Sequence, residues 1–345
     1  MRTEDFDYHL PEELIAQEPM MPRDACKLLV MHRDENKLDH RHFYDIGDYL
    51  QSGDLLVVNE TRVLPARLQG KRADTGGAVE VLLLKELDKD SNTWECLAKP
   101  GKRVREGTVV EFCDLLGEVV SVGNEGIRHI SFTAADGDFH AAIHRLGTLP
   151  LPPYIKDYAG DQSMYQTVYA GEDEHSAAAP TAGLHFTPEL LEQLQKKGVK
   201  LAKVRLDVGL DTFRPVSEDD PTQHHIHTEY FHVPQAAADA VNATRAAGKR
   251  VVAVGTTVVR ALESAAQLSG GATITEQGTP TSLYILPGFD FQVVDALITN
   301  FHVPKSTLVM MISAFTGREE ILAAYNEAVR ENYRFLSFGD AMLIL

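Results

Sequence analysis

No run in the sequence approaches the ~18 uninterrupted apolar residues that a membrane helix needs, so contact with a membrane is not expected. Cysteine is scarce: Cys26, Cys96 and Cys113 are widely spaced and form no CxxC pair. That excludes a disulfide framework and a thiolate zinc site, and leaves reduced packing residues. The opening MRTEDFDYHL is too acidic and too poor in apolar residues for a secretory signal, which points to a cytoplasmic protein. The motifs GxGxxG, GxxxxGKS/T, HExxH and GxSxG are missing, so the common forms of hydride transfer, nucleotide hydrolysis and hydrolase chemistry are unsupported. Positive charge is also short, with 33 Lys and Arg against 50 Asp and Glu, a formal net charge of -17. Such a chain does not bind nucleic acid indiscriminately, and an RNA partner would need a local basic patch.

What is present suits a folded α/β protein. The 345 residues, 44% of them apolar, are enough for two domains with sizeable cores. From Leu190 onward, helix-like and strand-like runs alternate. Thr187 is placed as an N-cap with Pro188 at the first helical position, and Lys196, Lys197 and Gly198 close that helix. The strand-like VKLAKVRLDVGL follows, then a helix over 236–248, the strand RVVAVG and a helix from Thr256. VVDALITN (293–300) reads as a strand, Ser306 as the cap of the buried helix TLVMMISAF, 318–331 as an amphipathic helix and AMLIL as a last strand. The expectation is a mixed or parallel sheet flanked by helices.

Between Val63 and His144 the pattern changes to short β-rich runs about ten residues apart, separated by Gly, Asp, Asn and Lys, which predicts a small antiparallel β-barrel or sandwich. The expected organisation is a discontinuous α/β body, 1–62 and 150–345, carrying an inserted β domain over 63–149.

In open α/β sheets, ligands sit beyond the carboxyl ends of the strands, where loops enter helices. The unusual loops of this chain fall there: PTAGLHFT with Thr181, Gly183 and His185, VGTTVVR with Thr256, TNFHVPKST with Asn300, His302, Ser306 and Thr307, and the stretch running into GLDTFRP. Glycine lets backbone approach a ligand, and free N–H groups at helix starts favour anions. His185 and His302 are imidazoles suited to proton transfer, and Asp340, beside Gly339, is a candidate working carboxylate. In QHHIHTEYFH (223–232), a strand would put His225, His227 and Glu229 on one face, a spacing that a divalent metal could use. KPGKRVREG carries Lys99, Lys102, Arg103 and Arg105 against a single acid and is the candidate RNA footprint.

LIAQEP, RDACKLLV, GDLLVVNETRVLPARL, LPLPPYI, YQTVY, AAAPTAGLHF, HTEY, VGTTVVRALES, YILPGF, VVDALITNFHVPKSTLVMMISAFTG and YRFLSFGDAMLI, in this order, resemble the S-adenosylmethionine:tRNA ribosyltransferase-isomerases of queuosine biosynthesis. The resemblance spans nearly the whole chain. It implies transfer of the ribosyl part of S-adenosylmethionine, a co-substrate, onto 7-aminomethyl-7-deazaguanine at the wobble position of tRNA, giving epoxyqueuosine and releasing adenine and methionine. It further implies an α/β body with an inserted β-barrel, no prosthetic group and no metal; a monomer is expected.

Carried over by position, the shared polar residues fall on Asn59, Thr61, Arg62, Arg67, Tyr165, Thr181, Gly183, His185, His224, His227, Glu229, Thr256, Arg260, Asn300, His302, Ser306, Thr307, Ser313, Arg334, Ser337 and Asp340. The family pattern H-V-G-x-G-T-F becomes Asp207, Val208, Gly209, Leu210, Asp211, Thr212, Phe213, so a histidine and a glycine are both replaced by aspartate. Lys27 and His175 stand where arginine and glycine are usual. On this reading His185 or His302 is the base that takes a proton beside the sulfonium, and Asp340 or Glu229 assists adenine. The helix starts at Thr187 and Ser306 receive the methionine carboxylate, Arg62 holds that carboxylate or a tRNA phosphate, and Asp211 faces the sulfonium.

Overall fold

A computed structural model of the chain describes residues 1–345 apart from Asn36, Asn124, Glu125, Asp157, Asp173 and 210–214. The chain divides into two compact units: Met1–Thr61, Pro152–Glu172 and Ala179–Leu345 form one, and Arg62–Leu151 with Asp173–Ala178 the other. No described helix is long and apolar enough to cross a membrane.

Strands β1 (Lys27–His32), β2 (Lys37–His42) and β3 (Leu55–Asn59) belong to the first unit. The second unit begins with β4 (Arg62–Val63), followed by β5 (Arg67–Arg72), β6 (Ala78–Asp88), β7 (Thr93–Lys99), β8 (Val109–Phe112), β9 (Leu115–Val122), β10 (Ile127–Ala134) and helix α1 (Phe139–Leu146). β5 to β10 close into a barrel of six antiparallel strands. Inward residues alternate along β7, as in the buried Trp94, Cys96 and Ala98, which is the period of two read from the sequence, whereas β6 buries Val81, Leu82 and Leu83 in succession beside a register shift. β11 (Glu174–Ser176) pairs in parallel with β4, which is why 173–178 return to this unit rather than staying with the body as the boundary drawn from the sequence has it.

The first unit then continues through α2 (Pro188–Lys196), β12 (Lys200–Leu206), β13 (Glu229–Val233), α3 (Gln235–Ala246), β14 (Val251–Val254), α4 (Thr256–Ser269), β15 (Gln277–Thr281), β16 (Ala296–Asn300), α5 (Thr307–Thr316), α6 (Arg318–Arg330) and β17 (Ala341–Ile344). Its nine-stranded sheet runs β15-β13-β12-β3-β14-β16-β17-β1-β2. The four central strands β12, β3, β14 and β16 are parallel. Every residue of β3, β14, β16 and β17 is buried, the unbroken apolar run expected of strands covered on both faces.

Register decides what meets at the site. β17 runs antiparallel to β16 with Ala341 opposite Asn300, and parallel to β1 with Ala341 opposite Leu28. The carboxyl ends of β3, β12, β14 and β16 therefore share one edge of the sheet with the starts of β17 and β1.

The strand expected over His225 and His227 does not form. Residues 224–228 lie outside any strand, and β13 begins only at Glu229, opposite Thr281, the last residue of β15. The strand expected from Val293 likewise starts at Ala296. The N–H groups of Gln292, Val293 and Val294 donate instead to the carboxylate of Glu263, which is wholly buried on α4.

Candidate functional site

Thr187 and Ser306 cap α2 and α5 as their positions suggest, accepting from the N–H groups of Leu190 and Val309. The Thr181–His185 turn before α2 packs against β16. Thr181 Oγ1 donates to Asn300 Oδ1 at 2.9 Å, and Asn300 Nδ2 donates to His185 Nε2 at 3.1 Å and to the Leu336 carbonyl at 3.2 Å. With Nε2 accepting, the neutral imidazole carries its proton on Nδ1, which faces Cys26 Sγ at 3.3 Å. Half-buried Thr181 and buried Asn300, His185 and Cys26 thus form one chain drawn from three elements, and Cys26, which the sequence marks only as packing, is part of it.

His302 follows β16. Its Nε2 lies 2.9 Å from Thr299 Oγ1, its N–H donates to the Tyr325 hydroxyl and its carbonyl accepts from the Tyr8 hydroxyl. Nδ1 has no partner among the described residues. Burial lowers the pKa of His302 to about 3; His185 is lowered to about 3 by burial, with the Arg23 and Arg334 charges adding to it. Both rings are therefore neutral at physiological pH.

Thr181, Asn300 and His302 line two adjoining cavities of the body. The first is completed by Gly255, Thr256 and Thr257 at the start of α4, the second by Tyr154, Ser306 and Ser337. Gly255 takes φ +94° at the turn from β14 into α4, a conformation suited to glycine. His185 lies on a third cavity with Cys26, Arg23 and Phe338.

Other expected residues have different tasks. Asp340 accepts the N–H groups of Lys27 (2.8 Å) and Arg334 (2.7 Å), tying β1 and the 334–340 loop together; burial raises its pKa, and it lines none of these cavities. Glu229 is half of a buried ion pair, with Arg260 donating to one oxygen and the Gly209 N–H to the other at 2.8 Å. Asn59 clips β3 to β12, donating to the Leu206 carbonyl and accepting from the N–H groups of Leu206 and Thr61. Thr61 Oγ1 donates to Asp207 Oδ1 at 3.3 Å, and Arg205 Nε lies 3.4 Å from the same oxygen. Arg62 opens β4 in the barrel-bearing unit. Asp211 and Thr212 lie outside the described residues. His225 and His227 are exposed, and among the described residues no three His, Cys, Asp or Glu side chains are grouped to hold a metal, so the His225, His227 and Glu229 constellation is not assembled.

In the barrel, Lys99, Lys102, Arg103 and Arg105 are all exposed around a turn at Gly101–Arg103. The buried Arg128 holds that turn, donating to the carbonyls of Gly101 (2.7 Å) and Val104 (2.6 Å).

Fold and site together define an α/β body with polar cavities at the carboxyl edge of its parallel strands, combined with an antiparallel barrel. The family model described as queuosine biosynthesis protein matches residues 3–344, and the chain belongs to that family. It is 55% identical over 348 residues to the S-adenosylmethionine:tRNA ribosyltransferase-isomerase of Moorella thermoacetica and 54% identical over 347 residues to that of Symbiobacterium thermophilum, in both cases covering all of each chain. The crystal structure of S-adenosylmethionine tRNA ribosyltransferase from Thermotoga maritima is 40% identical with a TM-score of 0.58, over 99% of this chain and 100% of that one.

Proposed function

We propose that the chain is a transferase that moves and isomerises the ribosyl moiety of S-adenosylmethionine onto 7-aminomethyl-7-deazaguanine at the wobble position of tRNA, forming epoxyqueuosine and releasing adenine and methionine. It acts as a cytoplasmic monomer, with catalysis in the α/β body (Met1–Thr61, Pro152–Glu172 and Ala179–Leu345) and tRNA phosphates held by Lys99, Lys102, Arg103 and Arg105 of the barrel-bearing unit.

One observation carries this reading beyond the relatives: His302 presents a neutral imidazole, with Nδ1 uncommitted, to a cavity whose other polar side chains are the uncharged Thr181, Thr256, Thr257, Thr299 and Asn300. The sulfonium acidifies the adjacent ribose C5′–H, and removing that proton requires a base in its neutral form. His302 is that base. His185, with both ring nitrogens committed, positions Asn300 and Thr181. Glu229, engaged on both oxygens, is released from any role with adenine and assigned to holding Arg260.

The test is incubation with S-adenosylmethionine and tRNA bearing the modified base, followed by analysis for adenine and an altered nucleoside. His302→Ala is expected to lower adenine release by a factor of about 100 or more, the usual worth of a general base, and His185→Ala by less. Full turnover in His302→Ala would remove His302 from the chemistry.

A further inference from the structure

The guanidinium of Arg260 on α4 is 5% exposed, yet its hydrogen bonding is incomplete. Nε donates to the Leu283 carbonyl at 3.1 Å and Nη1 to Glu229, while Nη2 is buried without a partner among the described residues. A buried charged donor left without an acceptor is costly, so such groups commonly mark a place that something else completes.

Arg260 lines a cavity with Glu229, His224, His227, Tyr284 and Thr307, whose apolar walls include Ile285, Leu308 and Met311. Thr307 opens the ten-residue α5, whose N–H groups at Thr307 and Leu308 have no intrahelical acceptor, Ser306 having taken that of Val309. Arg260 Nη2 and the helix start thus offer donors to one small volume with partly apolar sides. Leu308 is shared with the cavity that holds His302.

We propose that Arg260, through Nη2, and the start of α5 at Thr307 receive the carboxylate of the substrate's amino-acid tail, while Ile285, Leu308 and Met311 cover its methylenes. This rests on the function proposed above. Glu229 already balances the single charge of the guanidinium, so a bound carboxylate would be held by the free Nη2 donor and the helix start rather than by net charge, and the apolar walls suit an aliphatic tail better than a ribose-phosphate backbone.

The test compares kcat/KM for S-adenosylmethionine with that for its decarboxylated analogue, in the presence of substrate tRNA. The wild-type protein is expected to prefer the carboxylated substrate by about 10- to 100-fold, the range of a charged hydrogen bond. In the neutral double variant Arg260→Gln with Glu229→Gln, the ratio of the two values should collapse toward one, whatever loss both substrates share. Arg260→Lys, which keeps the charge beside Glu229 but loses the fork, should reduce the ratio at least threefold, and it carries the test if the double variant does not fold.

Preservation of the wild-type ratio in these variants would overturn the proposal, as would weakened tRNA binding with the ratio intact, which would give Arg260 a phosphate instead. A wild-type protein that uses both substrates equally overturns this inference alone; one that uses neither overturns the proposed function as well.

Discussion

His185 and His302 are kept neutral by the low polarity around them, and this couples them to stability as well as to chemistry. Between about pH 6.5, the ordinary imidazole value, and about pH 3, their value in the fold, the unfolded chain takes up protons that the folded chain refuses. Stability is then complete above pH 6.5 and declines as the solution is acidified. The urea midpoint should fall between pH 7 and pH 5.5, and His302→Gln should lessen that fall; an unchanged slope would mean that the ring is charged in the folded protein. Asp340 gives a second contrast. Asp340→Asn turns a donor toward one of two backbone N–H groups, so a loss of about 1–3 kcal/mol in urea unfolding is expected, with turnover per folded molecule retained. A variant of normal stability that releases no adenine would return the carboxylate to the chemistry.

The element that aims Thr181 and His185 depends on close approach. A Cβ on Gly183 would lie 1.9 Å from the Tyr169 hydroxyl and 2.9 Å from Thr167 Cγ2, and that hydroxyl has no hydrogen-bond partner among the described residues. Gly183→Ala should cost about 1–3 kcal/mol by overpacking, and adding Tyr169→Phe should recover part of it, as read from thermal or urea midpoints. No additive recovery would place the strain elsewhere. The glycine is visible in PTAGLHFT, but the tyrosine that makes it necessary lies well upstream and carries no local signal. Helix caps are legible because capping is local: Thr187 with Pro188 and Ser306 before an apolar run announce themselves. The expected strand through His225 and His227 fails for the opposite reason, since alternation describes one strand and pairing needs two. The roles of Cys26 and Glu263 go unmarked in the sequence for the same cause, their partners being distant along the chain.

At the scale of the molecule, charge is the organising fact. The formal charge of -17 repels a polyanion, and the proposed tRNA interface is therefore placed on the exposed cations of the turn held by Arg128. Charge reversal at Lys102 and Arg103 is expected to weaken tRNA binding and to reduce the salt slope by roughly one for each phosphate that is no longer neutralised. Filter-binding titrations at several salt concentrations measure both, and an unaltered slope would exclude this turn from the interface. The barrel itself is legible from turn residues recurring about every ten positions. The strand order of the body is not, because it depends on how β17 slots between β16 and β1.

That placement has a consequence for biosynthesis. Residues 341–344 emerge from the ribosome after every other strand of the sheet, yet they fill an interior position, between partners made about forty and more than three hundred residues earlier. Until then β1 and β16 each carry an unsatisfied ladder edge, of the kind that invites mispairing with other chains. The central sheet is therefore complete only once β17, the last of its strands to be made, fills the gap between β16 and β1.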